Sequence, residues 1–118
     1  MIEIKEVCKT FCNGKIEALG GVSVNISSNK IIGIIGPDGA GKTTLLRIVA
    51  GILTPSSGHI TIDKTEIDIY GRKTPGSLSL HELSKMISYM PQKFGLYENL
   101  SVIENLELYA KLHGIRGD

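Results

Sequence analysis

Apolar and polar positions divide the chain into extended and helical stretches. Ile2 and Ile4, then Val7 and Phe11, alternate loosely with polar neighbours and predict a strand over residues 2–11. Asn13-Gly14 is a strong turn signal. Val22, Val24 and Ile26 recur at period two and predict a second extended segment over 16–26, ended by the turn Ser27-Ser28-Asn29-Lys30. Ile31-Ile32-Gly33-Ile34-Ile35 is a continuous apolar run between turns, the pattern of a short strand buried on both faces of a sheet.

Beyond a glycine-rich stretch the period changes. Leu45, Val49 and Ile52 recur at i, i+4 and i+7, with Leu46, Ile48 and Leu53 widening the stripe, so a helix is expected over 43–52. It stops at Thr54-Pro55-Ser56-Ser57-Gly58. A short strand follows at 59–62. Residues 63–80 are polar and turn-rich and read as a surface hairpin or loop. Leu83 to Tyr89 leads into a further strand placed at 86–90, and 91–99 reads as a loop. Ser101-Val102-Ile103-Glu104 has the form of a capping box, with Val102, Leu106 and Tyr109 on one helical face and Gly114 as the stop.

The glycine-rich stretch carries the chemistry. Gly36-Pro37-Asp38-Gly39-Ala40-Gly41-Lys42-Thr43 fits G-x-x-x-x-G-K-[ST], with an apolar strand pattern before it and a helical pattern after it. Glycines at 36, 39 and 41 allow backbone angles and approaches that a Cβ would block, so successive amides can turn inward as an anion nest. The first turn of the following helix adds positive potential at the same place. One charge at one helix end is worth only about 0.3–1 kcal/mol, so affinity must come from many amides together with the Lys42 ammonium. Lys42 is placed for the β- and γ-oxygens of a polyphosphate, Thr43 offers its hydroxyl to Mg²⁺, and Thr44 reaches the α-phosphate. Asp38 is a carboxylate inside a phosphate loop and must point outward to avoid repelling the ligand.

Composition narrows the picture little further. The 118 residues are 42% hydrophobic and 21% charged, which is ordinary for a globular domain and unlike a disordered segment. Thirteen basic against twelve acidic residues leave a net charge of +1, which gives no case for bulk attraction to nucleic acid or anionic lipid. Cys8 and Cys12 read as two reduced thiols, and no secretory pattern opens the chain, so a cytoplasmic setting is expected. His59, His81 and His113 fall in no motif. Lys64, Arg72, Lys73 and Lys85 read as solvated surface charges.

The stretch GPDGAGKTT at 36–44, continued by residues 45–51 and by Thr54-Pro55-Ser56-Ser57-Gly58, resembles the Walker A segment of ATP-binding-cassette (ABC) transporter ATPases. MISYMPQKFGLYENLSVIENL at 86–106 resembles the strand, Q-loop and following helix of the same family, in particular of exporters of the drug-resistance type. The resemblance covers nearly the whole chain. It implies an α/β fold, a P-loop NTPase with an antiparallel β-subdomain. It also implies binding of ATP and Mg²⁺ at 36–44, with Gly36, Pro37, Asp38, Gly39, Ala40, Gly41, Lys42, Thr43 and Thr44 around the phosphates. Phe11 falls where the family stacks an aromatic ring on adenine, and Ala18 where a small side chain lines the base. Gln92 matches the Q-loop glutamine that contacts Mg²⁺ and the attacking water, so Lys42 and Gln92 are the catalytic candidates and Thr43 and Gln92 the metal contacts. Transmembrane permease domains are the implied partners, approached by the 93–99 segment through Leu96 and Tyr97. A second cassette is the other. The chain would then lie on the cytoplasmic face of a membrane through the permease.

The family pattern runs on where this sequence does not. No LSGGQ-like segment is found, and no run of four apolar residues precedes an Asp-Glu pair. Residues 1–118 are therefore expected to be the N-terminal part of one nucleotide-binding domain, an incomplete fold without signature motif, Walker B or switch histidine. Such a piece is expected to bind nucleotide weakly, to show no turnover, and to self-associate through unpaired strands. A soluble cassette ATPase acting on nucleic acid or ribosomes is the alternative, disfavoured by the even charge. A small-molecule kinase would want an arginine-rich lid, and residues 63–80 hold only Arg72.

Overall fold

The computed structural model describes residues 1–72, 75–93 and 95–115; Lys73 lies outside the described residues. These form two compact units, Met1–Ile87 and Ser88–Asp118.

The first unit is built on a five-stranded sheet. Strands β1 (Ile2–Phe11) and β2 (Ile16–Ile26) form an antiparallel hairpin, and the other side of β1 pairs with β3 (Ser57–Ile62). Strand β4 (Thr65–Asp68) follows antiparallel to β3, and the two-residue β5 (Leu78–Ser79) runs parallel to β4. The order is β2-β1-β3-β4-β5. Helix α1 (Lys42–Val49) lies between β2 and β3 in sequence, and α2 (Leu80–Met86) follows β5 directly.

One face of the sheet makes the core. Ile4 and Val7 of β1, Ile60 and Ile62 of β3 and Ile67 of β4 are buried, and Leu45 and Ile48 of α1 and Leu83 of α2 join them. On α1 Leu45 and Ile48 are buried and Val49 is half-buried, while Leu46 and Ile52 of the expected stripe stay exposed. Helix α2 seats beside the end of α1: a Cβ on Gly51, whose φ is +71°, would lie 2.8 Å from Leu83 Cδ2.

Two expected strands do not form. The 31–35 run is irregular, with Ile31 and Ile35 fully exposed, because no described strand pairs with it and an apolar run needs a ladder partner to become a strand. The 86–90 strand is likewise absent: Met86 ends α2 and Met90 is exposed. The 63–80 stretch, expected as a hairpin or loop, supplies β4 and β5 instead. Among the described residues no helix is long and apolar enough to cross a membrane.

The second unit is a loop followed by α3 (Val102–Leu112). Ser101 and Glu104 form the expected capping box, and Gly114 follows with φ +73°. The expected apolar face at Val102, Leu106 and Tyr109 is exposed within this unit. The buried residue is Asn105. Its carboxamide accepts from the Tyr97 amide at 2.8 Å and donates to the carbonyls of Tyr97, Leu100 and Ser101 at 3.0–3.1 Å. A single side chain therefore satisfies the turn that leads into the helix.

Candidate nucleotide site

The loop at 36–41 is shaped by its own sequence. Pro37 accepts a backbone bond from Ala40 at 3.3 Å, which closes a turn with Asp38 and Gly39 at its tip. Gly39 and Gly41 take φ of +82° and +84°, a region side-chain-bearing residues avoid. Asp38 stands exposed on that tip. Gly41 then becomes the N-cap of α1 and accepts from the Leu45 amide at 2.9 Å.

That helix start is left open. Gly41 offers no capping side chain, and the first turn of α1 holds no acidic residue. The starts of α2 and α3 are closed by Ser79 with Glu82 and by Ser101 with Glu104. Both glutamates are held below the ordinary carboxylate range, Glu82 chiefly by the Ser79 amide and Glu104 chiefly by the Ser101 hydroxyl. The amides at the start of α1 have no such internal acceptor, so they remain available to an external anion.

Lys42 completes the cradle. Its ammonium donates to the Gly36 and Pro37 carbonyls at 2.8 and 2.7 Å. Two of its three donors thus hold the charge over the loop, and the third is left for a ligand oxygen. Thr43 is exposed beside it and Thr44 is half-buried.

The loop rests on β2. A Cβ on Gly41 would lie 2.4 Å from the Ala18 carbonyl oxygen and 2.7 Å from Leu19 Cδ2. In the β1–β2 ladder Lys9 pairs with Leu19 and Thr10 with Glu17, so Ala18 is passed over as a bulge residue. Phe11 ends β1 opposite Ile16 and keeps 38% of its surface exposed. The ammonium of Lys9 lies 5.1 Å from its ring centroid and also donates to the Thr54 carbonyl at 2.7 Å. The first unit therefore brings 36–44 together with Ala18.

Gln92 belongs to the second unit. With Tyr89, Met90, Pro91, Leu96 and Tyr109 it lines a mostly apolar cavity of about 520 Å³, where the Tyr109 hydroxyl donates to the Gly95 carbonyl. Asn105 and Tyr109, which shape this unit from α3, have no motif signal; only their spacing of one helical turn hints at a shared face. Elsewhere in the first unit, a polar cavity of about 340 Å³ is lined by His59, Glu66, Asp68, Tyr70, Arg72 and Ser77. Arg72, expected as a solvated charge, stacks its guanidinium 4.6 Å from the centroid of Tyr70.

Comparison with known proteins agrees with the loop. The model of the ABC transporter family matches residues 19–116. The probable multidrug ABC transporter ATP-binding protein YbhF of Escherichia coli is 45% identical over 101 residues, which is 86% of this chain and 16% of that protein. The methionine import ATP-binding protein MetN of Caulobacter vibrioides is 33% identical over 97% of this chain and 33% of its own length. The dimeric post-hydrolysis state of an ATP-binding cassette bound to ADP and Pi superimposes with a TM-score of 0.76 at 32% identity, covering 100% of this chain and 50% of that one. The chain thus spans half or less of the length of these relatives. Its phosphate-loop sequence, its fold and its match over most of its length agree: the chain belongs to the ABC transporter family.

Proposed function

We propose that the chain holds Mg-ATP by its triphosphate on the 36–44 loop and serves as part of the ATP-binding cassette of a transporter. The observation that carries this is the open start of α1 beneath the Lys42 ammonium, which the loop's own carbonyls already hold in place. Charge and amides are fixed before the ligand arrives, so binding need not reorganise them. Phe11 would stack on the base, with Ala18 beside it. Thr44 would reach the α-phosphate.

Among the described residues no group of three or more His, Cys, Asp or Glu could hold a metal alone. The hydroxyl of Thr43 is a hard oxygen donor of the kind Mg²⁺ accepts when phosphates supply the rest of its shell. When bound, that ion would neutralise charge on the β- and γ-oxygens. Lys42 would orient the γ-phosphate and withdraw charge from it; the roles of Gln92 towards Mg²⁺ and the attacking water rest on the family resemblance alone.

These 118 residues contain no LSGGQ-like segment and no apolar run before an Asp-Glu pair. We therefore expect them to bind nucleotide without turning it over. ATP hydrolysis coupled to transport belongs to the parent protein, working with permease domains and a second cassette on the cytoplasmic face of a membrane. A structural relative is itself dimeric, which supports the second cassette. Export is our reading of the direction, supported by the 45% identity to a probable multidrug protein, while import ATP-binding proteins match at 33–39%.

Calorimetric titration of Mg-ATP into the chain and into Lys42→Ala tests this reading. Saturable binding to the parent sequence, weakened about tenfold or more in the variant, is expected from the loss of a charge-assisted bond. Equal heats from both proteins, or Lys42-dependent phosphate release by this chain, would contradict the respective half of the proposal.

A further inference from the structure

We propose that Lys9 is a positioning residue for the nucleotide base, acting through the ring of Phe11. This rests on the reading of Phe11 as the stacking residue.

Lys9 is fixed on three sides. Its ammonium donates to the Thr54 carbonyl at 2.7 Å. The residues flanking it bind the same connection: Cys8 accepts from the Ser56 amide at 2.8 Å, and the Thr10 amide donates to Ser56 Oγ at 3.0 Å. The segment after α1 is therefore stapled along residues 8–10 of β1. From this anchored position the ammonium sits 5.1 Å from the Phe11 centroid, within cation–π range.

The arrangement solves a problem that Phe11 poses. The ring is at a strand end, next to the turn formed by Cys12 and Asn13, both at positive φ, and much of its surface is exposed. A ring so placed would otherwise sample several rotamers, and ordering it would cost binding free energy. Lys9 attracts one face through the ring quadrupole and leaves the opposite face for a base. It also draws electron density from the ring, which favours stacking on an electron-rich purine. Since the same ammonium is bonded to Thr54, the ring is tied to the connection that leaves α1, the helix that carries the phosphate loop at its other end.

The test compares two ligands. Mg-ATP offers base and phosphates; magnesium tripolyphosphate offers phosphates only. Affinities of both are measured for the chain and for Lys9→Met, Lys9→Gln, Lys9→Arg, Phe11→Ala and the Lys9→Met/Phe11→Ala pair, with circular dichroism to verify folding. Lys9→Met and Lys9→Gln should weaken Mg-ATP about two- to fivefold, the range of an exposed cation–π contact, and leave tripolyphosphate unchanged. Arginine, which keeps the cation, should restore the parent affinity. In the Phe11→Ala background Lys9→Met should have no further effect. If Phe11→Ala lowers the ratio of ATP to tripolyphosphate affinity but neither Lys9 variant does, the role of Lys9 is refuted while stacking stands. Equal weakening of both ligands by the Lys9 variants would assign Lys9 to the fold alone and also refute the proposal. If Phe11→Ala leaves the ratio at its parent value, base stacking on Phe11 fails and the proposal falls with it.

Discussion

Gly41 and Ala18 meet where the phosphate loop lies on the β-hairpin: a Cβ at 41 would lie 2.4 Å from the Ala18 carbonyl oxygen. The contact explains two features together. Gly41 needs φ of +84° to turn the chain into α1, and it needs no side chain so that β2 can pass beneath. Ala18 is the residue the β1–β2 ladder skips, and its carbonyl is turned towards Gly41. Gly41→Ala should therefore both strain the backbone, at about 1–2 kcal/mol for the left-handed conformation, and displace the loop from β2. Chemical denaturation should show a clear loss of stability, and Mg-ATP binding should fall with it. Parent-like stability and affinity in Gly41→Ala would show that the loop does not rest on β2 as described.

The two capping boxes set a pH dependence with a definite sign. Glu82 and Glu104 both titrate below their ordinary value because Ser79 and Ser101 donate to the ionised carboxylates. A carboxylate with a lowered folded-state pKa stabilises the fold fully above its unfolded value, near 4.3 for glutamate. That contribution drains away as the pH falls through the folded value. Helices α2 and α3 should accordingly loosen as acid is added below about pH 4.3. Glu82→Gln and Glu104→Gln should flatten this part of the pH–stability curve, followed by circular dichroism. An unchanged curve in the double variant would remove the capping boxes from the account.

Asn105 makes a separate prediction for the second unit. It is 4% exposed and bonds the Tyr97 amide and three carbonyls. Asn105→Leu keeps most of the volume and leaves those backbone groups without their partner, at a cost of about 1–3 kcal/mol. Asn105→Asp should be no better, because a carboxylate would face three carbonyl oxygens. The direct readout is hydrogen exchange of the Tyr97 amide, which should become fast in Asn105→Leu, where its acceptor is gone. A Tyr97 amide that stays protected would mean that the turn is held by other contacts.

How much of this was legible beforehand varies with the physics behind each element. The β1–β2 hairpin, α1, α3 and the loop between Gly36 and Thr43 are written in local signals: alternation, Asn13-Gly14, the helical stripe and the glycine spacing. Ile31 to Ile35 reads as a buried strand because its apolar run records a demand for burial on both faces. Which segments would meet that demand is not local information, and no described strand does so. Helix α2 was signalled by Ser79 and Glu82 at capping-box spacing before Leu83, but the short turn-rich context hid it. Asn105 carried no signal, since its role exists only once residues 97–101 curl back over α3.

The exposed 31–35 run has a consequence in solution. Ile31 and Ile35 are fully exposed, and Ile32 and Ile34 keep 50% and 40% of their surface accessible. An apolar segment with unpaired backbone is a template for another chain. The 118-residue chain should self-associate with rising concentration in sedimentation, and Ile31→Lys with Ile35→Lys should reduce this. A concentration-independent monomer would count against it.

The central claim is that the loop amides and Lys42 hold a polyphosphate at the start of α1. Amide shifts of the isotope-labelled chain, followed by nuclear magnetic resonance during titration with Mg-ATP, test it most directly. The account predicts saturable shifts centred on Gly39, Ala40, Gly41, Lys42, Thr43 and Thr44, with the titration midpoint raised about tenfold or more in Lys42→Ala. Shifts confined to other surfaces, such as the cavity between His59 and Tyr70, with the loop amides unmoved, would contradict it.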